Sequence, residues 1–110
     1  MSGPFEKREK SFEAKWAHDE ELRFKTYARR NKLLGLWAAA EMGILGPAAD
    51  AYAKEVIASD FERAGDGDVF EKVQRDFAAR AVAISDHLIR RKMDELLDVA
   101  KRQIESEIAK

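Results

Sequence analysis

The sequence predicts an all-α protein, a four-helix bundle preceded by a mobile N-terminal arm. Three observations point there. Only two prolines and six glycines interrupt 110 residues rich in Ala, Glu, Lys, Arg and Leu, which favour helices. Apolar residues recur at three- and four-residue intervals, and no segment alternates with period two. The breaks between periodic segments are short, which favours antiparallel neighbours. A chain of this length supports one domain with one modest core.

Leu22, Leu33, Leu36, Trp37, Ala40 and Ile44 mark a first core helix expected to run to about Leu45. From Leu33 onward it is apolar almost all round, which places that half in the centre of the core. Gly46-Pro47 ends it and starts the next, because proline at the first helical position lacks only an N–H that has no helical partner. Tyr52, Val56, Ile57 and Phe61 mark the second helix. In the turn Gly65-Asp66-Gly67-Asp68, Gly65 suits the left-handed residue that ends a helix. Asp68 suits the cap of the third, with Glu71 as its reciprocal partner. Phe70, Val73, Phe77 and Ala81 mark that helix. Ser85 caps the fourth, with Ile84 and Ile89 placed as a hydrophobic staple. Its stripe continues through Met93, Leu96, Leu97, Ala100, Ile104 and Ile108.

Residues 1–16 differ. Phe5, Phe12 and Trp16 are spaced by seven and four and share a narrow stripe on a helix. The rest of residues 5–15 is nearly all Glu, Lys and Arg. An unbroken helix would carry this stripe about 100° around the axis from Leu22 and Leu33. Ordering the segment costs about 1–2 kcal/mol per residue, while burying three aromatics returns about 1.5–3 kcal/mol each. The segment therefore needs a surface to order against. Residues 1–16 are expected to be disordered in the free protein and helical when bound, with 17–110 forming the bundle.

The net charge of −1 hides an asymmetry: residues 1–34 carry nine Lys/Arg against six Asp/Glu, and residues 35–110 carry eleven against fifteen. A basic front on an acidic body argues against a nucleic-acid partner and permits steering of the front towards an acidic one. Absence of cysteine excludes disulfides, thiolate metal sites and cysteine nucleophiles, and fits a reducing compartment. Met1–Phe5 leads into charge, so no secretory signal is expected. The longest apolar run, Leu33 to Ala40, contains Gly35 and is too short to span a membrane.

The chain shows no catalytic pattern, so it is not expected to be an enzyme. His18 precedes Asp19, Glu20 and Glu21, but the Glu-x-x-His metal pair would need a carboxylate where Lys15 stands. His87 has Arg90 and Arg91 one turn on, a poor setting for a cation. Ser11, Ser59, Ser85 and Ser106 have no histidine arranged as a base, and no phosphate-binding glycine motif occurs. No metal and no obligatory cofactor are expected. Lys25, Arg29 and Lys32, next to Arg30, share a helical face that could hold a phosphate or an acidic partner. The aromatic stripe remains the main functional signal: these aromatics either fold back onto the bundle or, the favoured reading, form a helix that orders on a protein partner.

At this point the residues resemble a family. Phe5-Glu6-Lys7-Arg8-Glu9-Lys10-Ser11-Phe12-Glu13, Ala17-His18-Asp19 and Ala28-Arg29-Arg30-Asn31-Lys32-Leu33-Leu34-Gly35-Leu36-Trp37-Ala38-Ala39 are similar to the zeta subunit, the ATPase inhibitor of alphaproteobacterial ATP synthases. The likeness continues through Tyr52–Val56, Asp60–Glu62, Asp68–Phe70 and Lys92–Leu97. It implies a bundle with a mobile arm that becomes helical between alpha and beta subunits of the catalytic head, near gamma, and blocks ATP hydrolysis more than synthesis. The arm residues it implies as partner-binding are Phe5, Glu6, Arg8, Glu9, Phe12, Glu13, Lys15 and Trp16. It also implies weak adenine-nucleotide contact, for which Arg29, Arg30 and Trp37 are the candidates. The implied location is cytoplasmic, peripheral to the inner membrane through ATP synthase, with no direct membrane insertion. The alternative is a helical adaptor or nucleotide-sensing regulator acting on another partner.

Overall fold

One residue separates the first two helices. α1 (Pro4–His18) stops and α2 (Glu20–Glu41) starts around Asp19, which is extended at φ −112° and ψ 106°. Its carboxylate accepts from the Leu22 N–H at 3.1 Å, and Glu20 and Glu21 set negative charge on the positive end of the new helix. α3 (Pro47–Ser59), α4 (Gly67–Ala79) and α5 (Asp86–Ile108) follow. The structure, a computed structural model, describes residues 4–60 and 67–109, with the side chains of residues 4–10 outside the description. The described residues are all-α, without strands.

Two helix starts match the expectations. Pro47 opens α3 after Gly46, and the Ser85 hydroxyl accepts from the Leu88 N–H at 3.1 Å to cap α5. Three boundaries differ. Gly43, at φ 74°, stops α2 earlier than Leu45, and the Ile44 N–H folds back to the Ala39 carbonyl at 2.8 Å. Leu45 is left 76% exposed on the loop. α4 closes the same way, with the Val82 N–H on the Phe77 carbonyl at 2.9 Å, so Ala81 lies past the helix end in a left-handed conformation (φ 56°). Asp68 stands inside the first turn of α4 rather than capping it. Phe61, Gly65 and Asp66 lie outside the described residues.

Helices α2 to α5 run antiparallel to their sequence neighbours. Asn31 meets Asp60 and Gly35 meets Ala53 between α2 and the α3 end, Tyr52 meets Asp76 between α3 and α4, and Gln74 meets Asp86 between α4 and the α5 start. α5 then returns along α2, where Arg29 meets Gln103. The shared core holds Leu34, Ala38, Ala39, Tyr52, Val56, Val69, Phe70, Val73, Phe77, Ile89 and Met93. α2 approaches α3 closely because Gly35 has no side chain to keep them apart.

The buried face of α2 is rotated from the stripe read in the sequence. Thr26, Arg30, Asn31, Leu34, Gly35, Ala38 and Ala39 are buried, whereas Leu33, Leu36 and Trp37 are partly buried and Ala40 is exposed. Small residues win the innermost positions because α3 sits so near. Trp37 packs at the core margin, edge-on to Phe77 with ring centres 5.6 Å apart. Thr26, Asn31 and Tyr52 carry partnered polar groups into the interior. The Tyr52 hydroxyl donates to Asp76 at 2.7 Å, and burial together with that bond pushes it well above its ordinary pKa. Lys72 bridges the same carboxylate at 3.0 Å and Glu55 at 3.3 Å.

Candidate functional site

The site begins with the two halves of α1. Phe5, Glu6, Arg8 and Glu9 lie on the helix, and their side chains are outside the description. From Ser11 onward the side chains are placed, and they separate sharply by face. Glu13 and Lys15 are exposed, while Phe12 is only 8% exposed and Trp16 is partly buried.

Phe12 packs with Leu22 of α2 and Ile104 of α5, and Trp16 lies against this small cluster. It is a second apolar centre beside the main core, which follows from the break at Asp19. The bend lets the aromatic stripe meet Leu22, a contact that a straight helix would deny it. Four further interactions gather on Trp16. Its indole N–H donates to the Thr26 hydroxyl at 3.1 Å, and Thr26 in turn donates to the Leu22 carbonyl at 2.7 Å. The Lys101 ammonium sits 4.1 Å from the centre of its ring, within range of a cation–π attraction. The Tyr27 ring tilts towards it with centres 6.1 Å apart. The Trp16 carbonyl accepts from Arg23 at 3.1 Å, and the same guanidinium nitrogen takes the Ala17 carbonyl at 2.6 Å. Arg23 thus satisfies two carbonyls that the end of α1 leaves without helical partners.

Lys101 also pairs with Glu13 at 3.6 Å. The seam between α1 and α5 is not sealed. A space of about 210 Å³ remains there, lined by Phe12, Glu13, Asp98, Lys101, Arg102 and Glu105. Five of those six are charged, so the contact is polar except at Phe12.

The residues suggested for nucleotide contact are not brought together. Arg30 is 1% exposed, with its guanidinium Nε–H on Asn31 at 2.7 Å and its plane near the Tyr27 ring. Asn31 donates to Asp60 at 3.2 Å, so this polar group ties α2 to the end of α3. Arg29 faces α5, bonded to Gln103 and Glu107 at 2.7 and 2.6 Å. Trp37 packs against Phe77, with Lys92 6.0 Å from its ring centre. The expected basic face does assemble: Lys25, Arg29 and Lys32 line an open groove of about 400 Å³ with Phe24, Ala28, Ile57, Ile104 and Glu107. Lys25 pairs within that face to Glu21 at 3.3 Å.

His18 and His87 are exposed. Among the described residues no three His, Asp or Glu side chains stand close enough to hold a metal ion. Likewise no described helix is long and apolar enough to cross a membrane. Sequence reasoning missed Thr26, Arg23 and Lys101 as supports of the arm. Thr26 and Arg23 carried a faint signal, standing ten and seven residues after Trp16 just beyond a capping aspartate. Lys101, far along the chain, carried none.

The ATPase inhibitor subunit zeta family model matches residues 1–103. The chain belongs to that family. Its members are named as inhibitor subunits, and the matched span takes in α1 together with Leu22, Thr26 and Lys101. A solved solution NMR structure is similar at 44% identity, with a TM-score of 0.70, over 78% of this chain and 98% of that one. No curated protein matches the chain.

Proposed function

We propose that this zeta-family chain inhibits ATP hydrolysis by inserting its N-terminal segment, as a helix, between alpha and beta subunits of the ATP synthase catalytic head near gamma. Helices α2 to α5 serve as a four-helix bundle that carries the arm, and residues 1–16 are the mobile part. The observation that carries this reading is the joint at Asp19: a separate helix bearing Phe12 and Trp16 is attached to the body through one non-helical residue. Phe5, Phe12 and Trp16 act as anchors. Glu6, Arg8, Glu9, Glu13 and Lys15 set register and steer the encounter. A helix wedged into a rotary interface occupies space that a closing catalytic site must use, and rotation in the opposite sense can expel it.

The arm needs an apolar surface, and either its own body or the target can supply one. Away from both, it is expected to be disordered.

The test is steady-state ATP hydrolysis by the purified cognate head with full-length protein or with residues 2–16 deleted. Full-length protein is expected to inhibit and the deleted form to fail, with the body still folded. Full inhibition by the deleted form would overturn the mechanism. The alternative, a body that senses nucleotide, is favoured only by the basic groove of Lys25, Arg29 and Lys32. It predicts ATP binding that survives the deletion.

A further inference from the structure

We propose that the body of this protein is a competitor for its own arm: the seat formed by Leu22, Thr26, Lys101 and Ile104 holds α1 in a closed state that must open before the arm can engage a target. Phe12 is spent on Leu22 and Ile104, and Trp16 on Thr26 and Lys101. These are the two described aromatics of the stripe. A side chain buried against the body cannot also be buried in a partner, so self-docking and target binding exclude each other.

The seat is selective for α1. The Thr26 hydroxyl is fully buried in the closed state and is oriented by its own bond to the Leu22 carbonyl, leaving a lone pair for the indole N–H. Lys101 serves two groups of α1 at once, the Trp16 ring and the Glu13 carboxylate. Arg23 grips the last carbonyls of α1 and holds the bend. Apart from the Thr26–Leu22 bond within α2, each contact joins residues of α1 to the body, and none belongs to the main core.

The seat is also built to release. The α1–α5 seam keeps a polar space of about 210 Å³, and its ion pair is 3.6 Å long with Glu13 more than half exposed. Such a pair contributes little and weakens with salt. A two-state arm follows, with closed and open populations set by a few separable contacts, and the apparent affinity for a target reduced by the open fraction. The functional half of this proposal rests on the inhibitor reading above, while the closed state itself does not.

Two substitutions in the body open the latch without touching the arm. Thr26→Val keeps the shape and removes the indole's acceptor. Thr26 lies on α2, outside the arm that engages the target, so the arm's own contact residues are unchanged. Lys101→Glu removes the cation from Trp16 and sets a repulsive charge opposite Glu13. NMR reads the latch directly. Wild type should show cross-peaks between the Phe12 ring and the Ile104 methyls and slow exchange of the Trp16 indole proton, and both variants should lose them. In hydrolysis assays with the purified head, each variant should lower the half-inhibitory concentration about three- to tenfold, in proportion to the open fraction gained. Damage to the fold would act in the opposite direction, so a gain in potency separates opening from misfolding. Absence of the Phe12–Ile104 cross-peaks in wild type, or slow indole exchange retained in both variants, overturns the latch. Variants that open by NMR yet inhibit no better than wild type overturn its regulatory role. If no form inhibits, the inhibitor reading and the regulatory role fall together, while the cross-peaks still establish the closed seat.

Discussion

Replacing Gly35 with alanine tests the packing that positions everything else. A methyl group there would sit 2.6 Å from the Ala53 Cα, 3.2 Å from its Cβ and 3.3 Å from the Val56 Cβ. Carbon atoms in ordinary contact stand about 3.5–4.0 Å apart, so α2 and α3 must separate by about 1 Å. No rotamer change relieves the clash, because the nearest atom is backbone. Separation of that size forfeits about a quarter to a half of the dispersion wells along the seam, where Leu34, Ala38, Ala39, Ala53 and Val56 are all buried. Overpacking costs about 1–3 kcal/mol, and alanine's better helix propensity returns about 1 kcal/mol. Because the clash is with backbone, the upper end of that overpacking range applies, and the net expectation is a loss of about 2 kcal/mol. Urea unfolding followed by circular dichroism should show a lower midpoint at unchanged slope. Gly67→Ala, with open space around the new methyl, is the control and should stay within about 0.5 kcal/mol of wild type. A Gly35→Ala protein as stable as wild type would refute the close approach of the two helices.

Ala81→Gly should raise the melting temperature. It relieves a left-handed alanine at a net gain of about 0.5–1 kcal/mol after glycine's unfolded-state entropy, and a lower melting temperature would count against the closure seen after α4. Tyr52→Phe should cost about 1 kcal/mol in chemical denaturation, because it removes the bond to Asp76 while Lys72 still partners that carboxylate. Phe12→Ala should release α1 while α2 to α5 keep their amide protection in hydrogen exchange, since Phe12 belongs to the small second cluster and not to the main core. Added to Thr26→Val, where the latch is already open, the same substitution should weaken inhibition of the catalytic head, and unchanged potency there would remove Phe12 from the anchors.

The helical segments were legible because their signals are local. Pro47 and Ser85 mark helix starts through groups their own backbone needs. Gly43 was passed over because the apolar run continues beyond it to Leu45, and periodicity alone does not say where the chain turns left-handed. The inward face of α2 was misplaced for a related reason. With apolar residues nearly all round, the large side chains seemed the natural core, yet the close approach of α3 selects Gly35, Ala38 and Ala39 for the interior. Arg30 and Asn31 illustrate the same limit, since a buried polar pair is visible only once Asp60 is brought beside it. The aromatic stripe of the arm was evident from spacing. Its seat was not, because Lys101 and Ile104 approach it from the far end of the chain.

The single-residue joint at Asp19 has a geometric consequence. A helix of fifteen residues is about 22 Å long at about 1.5 Å per residue, so a rigid α1 pivoting at Asp19 carries its tip over part of a sphere of that radius and no farther. The body remains attached at the pivot and is too wide to follow a single helix into a narrow cleft. Under the proposed insertion it would act as a stop: α1 would enter a target to roughly its own length, with the Trp16 end near the mouth, next to the body. Lengthening or shortening the segment before the joint would change the depth reached, whereas loosening the joint would change only the angle of approach.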